Sequence, residues 1–125
     1  MKVNVADFAN LSLLTLPTEL QHKLESAVLV PSEEVPPDVV TMQCRVVLEE
    51  SATGRRCTVS IVYPSEADSV AGRVSILDAL GAKLFGASLG EFIDCDGPDG
   101  PSRLRVEEIL YQPEESMRTH LVVRG

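Results

Sequence analysis

The chain has 125 residues, of which 44% are hydrophobic and 24% charged, and its formal net charge is −8. That length holds one domain with one core plus a short appendage. Eleven Lys and Arg residues scattered among nineteen Asp and Glu form no basic stripe. This argues against direct nucleic-acid binding, because neutralising phosphates needs clustered cations. Aromatic content is 4% with no Trp, so the core must be built from Leu, Val and Ile. The three cysteines, Cys44, Cys57 and Cys95, lack the spacing of a zinc site or a disulfide framework, and free thiols fit a reducing cytoplasm. The N-terminus does not read as a signal peptide, and no apolar run approaches the roughly 18 residues of a membrane span. The expectation is a cytoplasmic protein with no membrane association, no metal and no cofactor.

Residues 1–16 are loosely apolar, and Pro17 then sits where a helix tolerates proline, at its first position. Leu20, Leu24, Ala27 and Val28 follow at helical spacing, predicting one helix about 12 residues and about 18 Å long. Residues 31–39, rich in Pro and Glu, read as an extended linker. From Val40 the period becomes two: Val40, Met42, Cys44, Val46 and Leu48 face one way, and Cys57, Val59, Ile61 and Tyr63 repeat the pattern after a turn at residues 50–55, giving a hairpin. Residues 65–73 read as a polar loop. Leu77, Leu80 and Leu84 line one face of a short helix, with Asp78 placed to cap its start and Gly86 its end. A strand over residues 91–96, a Gly-Pro-Asp-Gly-Pro turn at 97–101 and a strand over 103–112 complete the pattern. The apolar phase slips from Leu104 and Val106 to Ile109 and Tyr111, predicting a bulge near Glu107 and Glu108. The order β-β-α-β-β predicts an α+β fold, an antiparallel sheet wrapped on one helix. The tail, 116–125, is either a fifth strand or a disordered end.

Four stretches taken together resemble the Gre-factor family, and within it the Rnk branch. They are residues 31–42, Pro-Ser-Glu-Glu-Val-Pro-Pro-Asp-Val-Val-Thr-Met; Val62-Tyr63-Pro64 with Ala67-Asp68 and Gly72-Arg73-Val74-Ser75; Leu80 to Gly86 followed by Leu89-Gly90-Glu91; and Leu110-Tyr111-Gln112-Pro113-Glu114. Their order and spacing, over about residues 31–115, are more specific than any one of them. The resemblance implies an FKBP-like fold over 40–115 and a reduced coiled-coil arm over residues 1–30. It also implies RNA polymerase as partner, at the rim of its secondary channel, held by the loop before the helix and by the helix start. Carried over, those contacts are Asp68, Arg73, Ser75, Ile76, Leu77 and Asp78. Each also has a plainer reading: Leu77 as core, Ser75 and Asp78 as helix caps, Arg73 as a solvated loop charge. One departure stands out, since Ala79 occupies a position where Gre-type domains usually carry proline.

Gre factors proper hold acidic side chains at the tip of a long helical hairpin, where they help bind a catalytic magnesium. With about 30 residues before the linker, that arm is not expected here, and the adjacent Glu33 and Glu34 point to opposite sides of an extended segment. The reading is therefore a polymerase-binding regulator of the Rnk and Gre type that competes with Gre factors without stimulating cleavage, and not an enzyme. The alternatives are an FKBP-like prolyl isomerase, which needs an aromatic-lined apolar pocket, and an interaction module with another protein partner. His22 and His120 are not tied by motif to a nucleophile. Cys44 and Cys57 read as neighbouring core thiols on paired strands. The Leu20/Leu24/Val28 stripe must bury itself on the sheet, on residues 8–16, or on a second copy as a homodimer.

Overall fold

The computed structural model describes residues 1–97 and 100–114. Its centre is the hairpin of β3 (Arg45–Glu50) and β4 (Arg56–Val62), the first in a five-stranded sheet that also contains β5 (Arg73–Ser75), β6 (Phe92–Gly97) and β7 (Gly100–Tyr111). The spatial order is β5-β4-β3-β7-β6. Every neighbouring pair is antiparallel except β4 and β5, which run parallel. Val46, Leu48, Val59, Ile61 and Val106 turn to one face and are at most 9% exposed. Against that face lies α3 (Ala79–Leu84), which buries Ala82 and Leu84 beside Phe85. The expected α+β class is therefore found, but the sheet is mixed rather than wholly antiparallel. The stretch expected as loop ends in the first residue of an unexpected strand, β5, whose three residues are too few to show a period of two.

Two local differences have physical reasons. Val40, Met42 and Cys44 are buried as their alternation predicted, yet the strand begins only at Arg45. Gln43 sits at φ 63°, which breaks the ladder without turning its neighbours out of the core. Opposite β3, Val47 pairs with Glu108 but Leu48 with Val106, which leaves Glu107 as the extra residue of the expected bulge. A second, unexpected bulge follows, because Val46 pairs with Ile109 and Arg45 with Tyr111. Leu110 is thereby pushed outward, 49% exposed.

The helix expected after Pro17 is found as α2 (Thr18–Glu25), shorter than expected, and three unexpected elements flank it: β1 (Lys2–Asn4), α1 (Val5–Ser12) and β2 (Val28–Val30). β1 and β2 pair in parallel, Lys2 opposite Val28 and Asn4 opposite Val30. Leu11, Leu16, Leu20 and Leu24 all join the core cluster that includes Val46 and Leu48. The Leu20 and Leu24 stripe is thus buried by its own chain, while Val28 has left the helix and is 58% exposed. Residues 31–39 are also tied down. Val35 is 1% exposed, and the Gln112 side chain donates to the carbonyls of Pro36 and Val39 at 2.7 and 2.8 Å.

A lysine fastens the N-terminal helices to α3. The Lys23 Nζ donates to the carbonyls of Ala82, Lys83 and Phe85 at 2.7, 3.0 and 2.9 Å. These are last-turn acceptors that a helix leaves unpaired, at its negative end. Burial holds this ammonium below the usual lysine range. Lys23→Met keeps the stem and removes three charge-assisted bonds, so it should cost about 2 kcal/mol in urea denaturation. A loss below ~0.5 kcal/mol would mean that water replaces the lysine at no penalty.

Candidate functional site

The residues singled out above lie along one segment, from the end of β4 through β5 to the start of α3. Its first half is a tight loop closed on itself. Asp68 and Arg73 exchange backbone hydrogen bonds at 3.0 and 2.8 Å, and the Asp68 carboxylate accepts from the amides of Val70 and Ala71 at 3.1 and 3.3 Å. This is the aspartate-stabilised turn that short acidic side chains favour. Val70, at its tip, is 97% exposed. In the second half, Ser75 Oγ accepts from the Leu77 amide at 3.1 Å, and the Asp78 amide donates to the Ser75 carbonyl at 3.0 Å.

These contacts sort the six residues. Asp68, Arg73 and Asp78 are exposed and Leu77 is half-buried, so all four present surface along this one segment. Ser75 is 7% exposed and Ile76 fully buried, so both shape it from below. The expected side-chain cap from Asp78 is not made. Asp78 occupies the N-cap position with φ −74° and ψ 154°, but its side chain accepts no bond from α3. The Ser75 turn already sets the helix start, which leaves the Asp78 carboxylate free to face outward. Ala79, at the position where the resemblance leads one to expect proline, is exposed as the first residue of α3. Gly86 adopts φ +84° after the helix and donates to the Val40 carbonyl at 2.8 Å, in keeping with its expected role.

A second cluster, which the residue types alone did not reveal, joins Asn4, Asp7, Thr41, Tyr63 and Glu114. Glu114 is 2% exposed; its two carboxylate oxygens accept from Thr41 Oγ1 and Asn4 Nδ2, both at 2.9 Å. The same Asn4 nitrogen reaches Asp7 at 3.0 Å, and Tyr63 donates to Asp7 at 3.3 Å. Burial first, and the neighbouring Glu114 charge second, push the Asp7 carboxyl up to about 6 against the hydrogen bonds from Tyr63 and Asn4. Folded Asp7 therefore holds its proton more tightly than the unfolded chain does. Its contribution to stability is greatest below the unfolded value of 3.8 and declines as pH rises through about 6. Carbon-13 NMR of the Asp7 carboxyl should show a midpoint near 6, and Tyr63→Phe should move it higher by removing a bond to the ionised form. A wild-type midpoint near 4, or a downward shift in the variant, would contradict this geometry.

The thiols are not arranged for chemistry. Cys44 is buried, and burial pushes it up to about 11. Cys57 is exposed at the far end of the hairpin, opposite Leu48 rather than beside Cys44, so the expected pairing of the two is not found. Among the described residues no group of three His, Cys, Asp or Glu side chains is placed to hold a metal ion. His120 and the tail after Glu114 lie outside the described residues. Among those described, no helix is long and apolar enough to cross a membrane. A hollow of about 740 Å³ lies on the outer face of the sheet and is lined by Arg45, Ser60, Glu66, Arg73 and Tyr111, among others.

Comparison with known proteins places this arrangement. The family model "Transcription elongation factor, GreA/GreB, C-term" matches residues 35–111. The regulator of nucleoside diphosphate kinase of Escherichia coli is 33% identical over 102 residues, covering 81% of this chain and 75% of that protein. Transcription elongation factor GreA of Clostridium botulinum is 31% identical over 91 residues, 73% of this chain but only 57% of the factor. Among solved structures, a prokaryotic transcription elongation factor GreA/GreB from Nitrosomonas europaea superposes with a TM-score of 0.80 at 30% identity, covering 89% of this chain and 98% of that one. GreA factor homolog 1 of Thermus thermophilus gives 0.56 at 28% identity, with 74% and 60% covered. The fold and the segment around α3 thus define a regulator related to transcription elongation, a class of transcription factors rather than of known enzymes. Within that class the chain belongs to the GreA/GreB family, with Rnk-type proteins among its relatives.

Proposed function

We propose that this protein binds RNA polymerase near the rim of the secondary channel, through the segment from Asp68 to Asp78, and that it competes there with Gre factors without stimulating transcript cleavage itself. The observation that carries this reading is the construction of that segment. Seven hydrogen bonds internal to it hold its shape, while Asp68, Arg73 and Asp78 keep outward-facing charge. A partner can therefore bind without paying to order a loop. Ile76 acts from beneath, as the buried anchor of the loop.

The silence in cleavage follows from how residues 1–30 are used. Their leucines are committed to the core of the sheet domain, and α1 and α2 are eight residues each, about 12 Å long. Two such helices do not make a hairpin able to carry carboxylates far from the body. The curled sheet around α3 fits an FKBP-like docking module, and the action proposed is cytoplasmic. Isomerase chemistry is not part of the proposal, because the large hollow has two arginines and Tyr111 as its aromatic, which is poor desolvation for a prolyl amide. The test is a pull-down of the full chain with core RNA polymerase, with and without a cleavage-competent Gre factor. Retention that the competitor reduces supports the shared site, and retention that it leaves unchanged refutes it.

A further inference from the structure

A straight row of side chains crosses four strands of the sheet. Arg73 of β5 stands opposite Ser60 of β4, Ser60 opposite Arg45 of β3, and Arg45 opposite Tyr111 of β7. Residues opposite one another on adjacent strands share a face. This face is the outer one, since Val46, Val59 and Ile61, next to these residues in sequence, point into the core. Arg45 and Arg73 are two strands apart, about 10 Å at the backbone, and both line the 740 Å³ hollow. Long guanidinium stems on either side of a serine can converge on one group between them.

The charges in this hollow are left open. Arg56 is paired with Glu49 and Glu107, and Arg103 with Asp94. Among the described residues no carboxylate lies in ion-pair range of Arg45 or Arg73. Glu66, the acid on the rim, is engaged by the Gln43 amide at 2.7 Å. Beside the arginines, the second bulge of β7 sets Leu110 and Tyr111 next to each other, 49% and 47% exposed, and both line the hollow. Two guanidiniums that no described carboxylate pairs thus lie beside an apolar shoulder.

We propose that this row seats a protein segment with an acidic side chain, its carboxylate held between Arg45 and Arg73 and an adjacent apolar side chain resting on Leu110 and Tyr111. The planar guanidinium fork matches a carboxylate in two-point geometry. Resting on the polymerase reading above, the segment is an acidic stretch of the polymerase surface next to the one met by the β5–α3 rim. A phosphate backbone fits less well, because it is held by cations clustered along its length, and this hollow offers two arginines beside an apolar shoulder.

Two measurements on the full chain test this. In the first, amide NMR shifts are followed while adding acetyl-Leu-Asp-Glu-Leu-amide, its Asn/Gln counterpart, or an oligothymidylate. In the second, binding to core RNA polymerase is compared for wild type, Arg45→Glu and the loop variant Asp78→Arg. The acidic peptide should shift Arg45, Ser60, Arg73 and Tyr111, the neutral peptide should not, and Arg45→Glu should abolish the effect. Arg45→Glu should also weaken polymerase binding about tenfold or more, with a melting temperature within about 2 °C of wild type. A silent peptide titration, together with polymerase binding that Asp78→Arg weakens and Arg45→Glu leaves unchanged, would overturn the row and keep the polymerase reading. Peptide binding at the row without any polymerase binding would do the reverse. Oligothymidylate shifting the same amides more strongly than the peptide would assign the row to nucleic acid and overturn the proposal.

Discussion

Gly81→Ala should lower the melting temperature by about 10 °C, a loss of about 2 to 3 kcal/mol. On propensity alone the change would help, since alanine in a helix interior is favoured over glycine by about 1 kcal/mol. Packing decides the sign. A Cβ at Gly81 would sit well inside van der Waals contact of the Ser75 carbonyl oxygen, 3.0 Å from the Ser75 carbonyl carbon and 3.1 Å from Ile76 Cα. All three are backbone atoms, so none can swing aside. To admit the methyl, α3 must lift off the end of β5, and that end carries the Ser75 turn that sets the start of the helix. Amide exchange at Leu77 and Asp78 should accelerate together with the loss of stability. An unchanged or raised melting temperature would mean that α3 does not approach β5 this closely.

Glu114→Ala should cost about 3 kcal/mol in chemical denaturation. The carboxylate is buried and joins two segments far apart in sequence, Asn4 at the end of β1 and Thr41 before β3. Hydrogen bonds to a charged group are each worth about 1.5 to 3 kcal/mol, and their loss leaves two buried donors short of an acceptor. Two effects reduce the sum. Asn4 keeps its bond to Asp7, and removing Glu114 relieves the repulsion that raises the Asp7 carboxyl. Glu114→Gln should cost about 1 kcal/mol, because it retains one acceptor oxygen and loses the charge. Equal stabilities of the alanine variant and wild type would show that the cluster is not what holds residues 1–12 in place.

The parts of the fold that were legible in the sequence are those whose signal is local and repeated. The β3–β4 hairpin, α3, β6, β7 and the bulge at Glu107 all follow from a period of two or from a short helical stripe. β5 escaped because three residues carry no period. The pairing of β1 with β2 escaped because its partners are 26 residues apart, Lys2 opposite Val28, and nothing local marks such an encounter. The helix from Pro17 was read too long, because Ala27 and Val28 continue its spacing although Val28 lies in β2. Gln112 and Glu114 illustrate the same limit for polar side chains. Their motif was visible as a resemblance, but their work, holding Pro36, Val39, Asn4 and Thr41, depends on partners more than 70 positions away. For the proposed docking rim, resemblance supplied the segment, and only packing separated exposed Arg73 and Asp78 from buried Ile76. Arg45 and Ser60 could have been found from the sequence, as outward members of alternating strands, but Tyr111, read in the apolar phase with Ile109, joins them only through the second bulge, and only the register between strands aligns the three with Arg73.

The most direct test of the central claim is transcript cleavage in stalled elongation complexes, with this protein added alone and against a cleavage-competent Gre factor. Competition for a shared site predicts no cleavage above background from the protein alone, and a concentration-dependent loss of Gre-stimulated cleavage when both are present. Cleavage stimulated by the protein alone, or Gre-stimulated cleavage unchanged at saturating protein, would contradict the account.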